Sequence, residues 1–375
     1  LDLTGTLASM ALISGGSLNV AYPITTPHAI LLGARGGNVS QTSTAKITAS
    51  HLMALASTGI ALDNTVNQVR NVTLQTTTGS VAFRNQSYDA TNTLSVMPVS
   101  TLCSNYDVDC YTSTDSISGV VTKYLSIGKS GYPVASFTDG IRTGSGVISL
   151  SNVGSIVLAA PVATDASSTD SVVSIEASGS GAAITGAGSS ASVVGYALQA
   201  SAVGGIGSAA TPLWTQVSTL RADGGAGNLY VANTGALTTY GVSANGEIFV
   251  AAKSPLTIAS GDGVTSTGNN AITLVAGATG STATTDVLTI DGPVTTSGAI
   301  KLRAGNGITG LQVPGGSNVV ATANINSMTT ATLSQCQADG GLPGCSAVLA
   351  AATPSVADPS VTTTVQTTQT QTVTT

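Results

Sequence analysis

The chain has 375 residues and a net charge of −6, with only 11 Lys/Arg and 17 Asp/Glu. That is 7% charged residues, against about 25% in an ordinary soluble domain. Hydrophobic residues reach 42% while aromatics reach 3%, and 44 residues are Gly. This excludes a disordered polar chain, argues against a helical protein, and leaves no apolar run long enough for a membrane-spanning helix. Lys301 and Arg303 are the closest basic pair, too little for a nucleic-acid or anionic-membrane footprint.

In chain order, LASMALI (7–13) lacks the basic flank of a signal peptide, so the N-terminus reads as a processed end or the edge of a fragment. Residues 1–82 then give short alternating segments closed by Gly: AILLGARGG (29–37), HLMALASTG (51–59) and VTLQTTTG (72–79). After an aromatic-rich stretch, 83–142, the same shape returns through 143–330. It appears there as VSIEASG (173–179), TLRADGG (219–225), ITLVAGATG (272–280) and IKLRAGNG (300–307). Alternation over three to five residues, ended by Gly, Asn or Asp, signals a strand and turn. The anchors Leu229, Ile248, Ile272 and Ile300 follow one another at 19, 24 and 28 residues.

Those spacings are too short for propeller blades, and the sequence shows neither the consensus nor the Asn ladder of a leucine-rich repeat. They point to an all-β fold, a parallel β-helix (β-solenoid) whose coils stack about 4.8 Å apart. Its winding is expected to be right-handed. Small and β-branched residues fill its narrow interior, and Gly, Asn and Asp make its corners by adopting positive φ. At about 20–24 residues per coil the chain would make on the order of 15 coils, rising roughly 70 Å. A β-sandwich is the structural alternative.

The stretch 83–142 holds more than half of the aromatics: Phe83, Tyr88, Tyr106, Tyr111, Tyr124, Tyr132 and Phe137. With Asp89, Asp107, Asp109 and Asp115 it reads as an insertion that leaves the stack. Either its rings pack as a private core on the solenoid wall, or Tyr106, Tyr111, Tyr124 and Tyr132 form a binding loop. The cysteines fall as two close pairs, Cys103/Cys110 and Cys336/Cys345. Zinc sites need tighter spacing and nearby His, and His28 and His51 lie far away. Two local disulfides are therefore expected, and with them an oxidising compartment.

Residues 331–349, ATLSQCQADGGLPGCSAVL, resemble the carboxy-terminal repeats of filamentous-haemagglutinin-type bacterial surface proteins exported by two-partner secretion. Thr332, Leu333, Gln335, Cys336, Gly344, Cys345, Ser346, Val348 and Leu349 match that pattern; Ala350 replaces its usual Pro, and one copy is present. ITLVAG and IKLRAGNG are similar to coils of that family. The resemblance implies that the chain is the C-terminal part of something longer, placed outside the cell or on its outer surface.

Catalysis finds little support. Glycoside hydrolysis needs two carboxylates facing a cleft, and Glu176 and Glu247 are the only glutamates. Asp286 and Asp291 flank a turn, Asp107, Asp109 and Asp115 lack an EF-loop pattern, and no nucleophile or phosphate motif occurs. A polysaccharide-acting enzyme is thus the remote alternative, and no cofactor or metal is expected. The leading expectation is a structural subunit that polymerises with copies of itself into an extracellular filament. Its assembly element is the tail after 354, whose VTTTVQTTQTQTVTT (361–375) carries Val361, Val365 and Val373. The alternative is a rod-like adhesin that presents the 83–142 insertion to a receptor or glycan. The disulfide-stapled segment 331–353 would join coils to tail.

Overall fold

The structure is a computed structural model. It describes residues 9–310 except 87, 90, 91, 100–107, 115–120, 128–134, 138, 189, 269 and 278–283. It adds the strand Asn318–Thr322, and in that strand, Val108–Thr114, Val121–Ile127 and Ala135–Phe137 only the backbone is described. The chain is all-β, a parallel β-solenoid of about 11 turns with no helix among the described residues. It divides into two compact units, one up to Ala182 with Ser192–Tyr196, the other Ala183–Ala191 with Ala197 onward. The expected sandwich alternative is excluded by the parallel register. The expectation of about 15 coils took all 375 residues, whereas the turns seen run over the described residues, among which the chain inserted between Leu94–Val96 and Ile141–Thr143 adds no coil.

In the first unit the rungs Ser9–Ser14, Ala29–Ala34, the second half of Ile47–Ala56, and Gln68–Thr76 pair in parallel. Alternate positions form inward columns: Met10, Ile30, Leu52, Val72 and Val96 in one, Leu12, Leu32, Ala54, Leu74 and Ile141 in the next. A second parallel sheet closes the coil, its inward column running Val39, Ile60, Val81, Ile148, Val173. Nearly all of these side chains are fully buried. At about 1.5–3 kcal/mol per buried aliphatic side chain, these columns are the main source of cohesion.

The rung after Gln68–Thr76 is split. Leu94–Val96 continues one half of it and Ile141–Thr143 the other. The inserted chain therefore leaves and rejoins within a single rung, and an N–H bond from Val99 to the Asp139 carboxylate, 2.8 Å, ties its neck. Inside it Val108–Thr114, Val121–Ile127 and Ala135–Phe137 form an antiparallel sheet. Phe83, which opens the aromatic stretch in the sequence, instead lies in the solenoid core on Val81–Asn85.

In the second unit Leu229–Asn233, Ile248–Ala252, Ile272–Ala276, Ala299–Ala304 and Asn318–Thr322 stack as successive rungs. The anchors Leu229, Ile248, Ile272 and Ile300 stand in direct register. The drift in their spacing is absorbed at the corners, where Leu256–Ile258 and Val264–Ser266 both pair with Leu237–Ala244.

The corners divide the labour between Gly and Asn differently from expectation. Gly adopts positive φ at many of them, but among the described non-glycine residues only Asn92 does. The buried asparagines instead use their side-chain amides on neighbouring backbone. Asn85 binds both the N–H and the C=O of Val69, and Asn233 does the same to Val217. Asn85 also donates to Asn152, so a short Asn stack exists that no sequence consensus shows.

Gly79 illustrates the other device. Its φ is +77°, and a Cβ there would run into the carbonyl oxygen of Thr58 on the preceding coil. Gly79→Ala is expected to cost about 2–3 kcal/mol through strain and forced separation of coils. Gly235→Ala, whose Cβ would meet nothing within 4 Å, is expected to change stability by less than about 0.5 kcal/mol. Denaturant titration of both variants checks the contrast.

Candidate functional surface

An exposed sheet face alternates apolar inside and polar outside, so buried outward positions mark places where something lies on the solenoid. In the first unit the outward column Leu31, Met53, Thr73 is fully buried, as is His51 beside it. The insertion departs at Leu94–Val96, yet its strand Val121–Ile127 lies against Ser9–Ser14 at the far end of the unit.

His51 shows how dry the covered face is. The Thr73 hydroxyl donates to the Met97 carbonyl at 3.0 Å, so it accepts from His51 Nε2 at 3.4 Å. This assigns the neutral Nε2–H tautomer. Burial lowers the His51 pKa to about 3.

In the second unit the outward columns are Tyr230, Phe249, Thr273, Lys301 and Trp214, Ala232, Ala251, Val275, Arg303. The partly exposed Lys301 and Arg303 identify these columns as outward. Yet Trp214, Tyr230 and Phe249 are only 5%, 3% and 1% exposed. The Tyr230 and Phe249 rings stack with centroids 6.2 Å apart, and the Lys253 ammonium sits 5.6 Å from the Trp214 ring centre. Tyr230 donates its hydroxyl to Glu247. Burial, that hydrogen bond and the carboxylate's charge push the phenol pKa up.

The residues singled out in the sequence are distributed unevenly. Tyr111 and Tyr124 stand at opposite register positions of the inserted hairpin, with Cys110 opposite Leu125. Cys103, Cys336, Cys345, Tyr106, Tyr132, Val361, Val365 and Val373 lie outside the described residues. Tyr88 packs under the Arg70 guanidinium, which pairs with Asp89. The two glutamates are separated in use: Glu176 accepts from Ser151 and Glu247 from Tyr230. Asp286 is buried, and its Oδ2 has no hydrogen-bond partner among the described residues. Among those residues no three His, Cys, Asp or Glu side chains gather as a metal site.

Sequence reasoning missed the outward aromatic patch because Trp214, Tyr230 and Phe249 lie on three separate rungs. The available signal was the pair of odd positions in LYVAN and IFVAA, where a polar residue would be expected.

Comparison of the chain with protein-family models, with curated proteins and with solved structures finds no match in any of the three.

Proposed function

We propose that the chain is a structural subunit of an extracellular or cell-surface bacterial filament, its copies joined head to tail by strand addition. The observation that carries this reading is the edge strand Ser9–Ser14. It pairs with Ala29–Ala34 on one side, and no described strand pairs with its other edge. Sheet proteins guard such edges with charge, Pro or bulges, or by covering them; SMALIS has none of the first three, and the one described strand of the insertion near it, Val121–Ile127, makes no ladder with it. The uncharged run 361–375, with Val361, Val365 and Val373, supplies a β-prone strand of matching character. Copies linked through unlike ends form an open filament.

Right-handed winding, two local disulfides and absence of catalysis belong to the same reading. So does export of the two-partner-secretion type, which the segment 331–349 supports by its resemblance. The second reading, an adhesin, is favoured by one feature: an antiparallel hairpin, carrying Tyr111 opposite Tyr124, interrupts an otherwise parallel stack.

Negative-stain microscopy of the full chain and of a chain lacking residues 354–375 tests this proposal. Fibres from the first and single particles from the second are expected. Equal fibres from both would refute the tail's role, and single particles from both at all concentrations would favour the adhesin.

A further inference from the structure

We infer that the outer face of the second unit carries a binding site for a neutral polysaccharide, built on Tyr240 with Arg221, Asp262 and Gln199. The site stands where the stack is irregular. Thr219–Asp223 and Leu237–Ala244 pair in parallel, but Leu220 faces Thr239 and Ala222 faces Val242. Arg221 therefore stands alone opposite two residues, Tyr240 and Gly241. On the next coil Ile258 faces Thr239 and Val264 faces Val242, so residues 259–263 leave the ladder at the same place. Bulges of this kind re-aim side chains and gather beside binding sites.

Both irregularities serve one arrangement. Gly241 has a φ of +87°, and a Cβ there would come within 3.0 Å of Asp262 Cβ and 3.6 Å of Arg221 Nε. Over the space that this glycine leaves, the Arg221 guanidinium donates to the Asp262 carboxylate, joining the coils on either side. Tyr240, next to that space, is 51% exposed and makes no ring contact or hydrogen bond among the described residues. Gln199, exposed and equally without a side-chain hydrogen bond among the described residues, stands in register with Arg221 on the preceding coil. Folding gains little from this group. Ion pairs as exposed as this one contribute little to stability, and a half-exposed ring leaves apolar area in water.

The chemistry selects the ligand. An open phenol ring suits the C–H face of a pyranose, being apolar in its body and polar at its tip. The guanidinium, carboxylate and amide around it offer both donors and acceptors to sugar hydroxyls. Arg221 and Asp262 cancel in charge, and the exposed Asp223 on the same strand as Arg221 adds a negative one, which disfavours an anionic glycan. A protein partner would need a contiguous apolar centre to bury, whereas Tyr240 is flanked by Thr238, Gly241, Arg221 and Asp262. The site lies on a sheet face and not on the open edge Ser9–Ser14, so it does not depend on the joining of copies.

Native-gel retardation of the full chain tests the site, in gels cast with hydroxyethylcellulose, galactomannan or polygalacturonate and compared with a gel without glycan. At least one of the two neutral glycans is expected to slow the chain, and polygalacturonate is expected to leave it unshifted. Tyr240→Ala and Arg221→Ala are each expected to weaken the retardation several-fold. Tyr22→Ala, at a tyrosine 81% exposed in the first unit, is expected to change nothing. Circular dichroism checks that each variant keeps its β-sheet. If the alanine variants do not fold, Asp262→Asn and Tyr240→Phe decide, with weakened retardation expected from the first and retained retardation from the second. Absence of retardation by both neutral glycans overturns the inference. So does equal retardation of the full chain and Tyr240→Ala, or retardation by polygalacturonate alone. A loss as large in Tyr22→Ala would assign the effect to exposed rings in general, with the same consequence.

Discussion

Between pH 6.5 and pH 3 the first unit is expected to lose about 5 kcal/mol of stability through His51 alone. The imidazole is buried and neutral, with its pKa lowered to about 3 from 6.5. The unfolded chain therefore binds a proton over this interval that the folded chain refuses. Stability from this source is complete above about pH 6.5, falls by up to about 1.4 kcal/mol per pH unit below it, and is lost by about pH 3. His51→Gln keeps a donor toward Thr73 and removes the titration. Denaturant unfolding of both chains across this range isolates the effect, because carboxylates contribute alike to each. Parallel stability profiles for the two chains would contradict the assignment.

Asn85→Ala is expected to cost about 3–5 kcal/mol. The side chain accepts from the Val69 N–H at 2.8 Å and donates to the Val69 carbonyl at 2.9 Å, both buried. Removing it leaves two backbone groups without partners, each worth about 1–3 kcal/mol. It also takes the Asn85 donor away from Asn152 Oδ1. Asn233→Ala is expected to behave similarly in the second unit, since Asn233 holds Val217 at 2.9 and 3.0 Å. Asn19→Ala is the control: its described side-chain bond is one exposed contact with Ser40, and a change under about 0.5 kcal/mol is expected. Equal costs at Asn19 and Asn85 by chemical denaturation would show that the buried amides are not structural.

The stacked rungs were legible in the sequence because period-2 alternation is a local property. Ile272, Leu274 and Ala276 announce an inward face by themselves, and IKLRA repeats the pattern with charge on the other side. The positions of Leu229, Ile248, Ile272 and Ile300 in one column followed from the same signal. The splitting of one rung between Leu94–Val96 and Ile141–Thr143 was not legible, since its halves are joined only through pairing with Gln68–Thr76. The role of Asn85 and Asn233 was not legible for a similar reason. Asn is a frequent turn former, and nothing local distinguishes an amide that turns a corner from one that satisfies a backbone pair across a corner. The covered faces were illegible because Leu31, Met53, Tyr230 and Phe249 look like ordinary strand residues until the register shows which way they point.

Fibre diffraction from aligned assemblies of the full chain tests the head-to-tail account most directly. Strand addition at the end of a coil stack continues the stacking direction along the filament, so a reflection near 4.8 Å is expected on the meridian. A 4.8 Å reflection on the equator, from copies joined side by side, or an absence of fibres at any concentration, would contradict it.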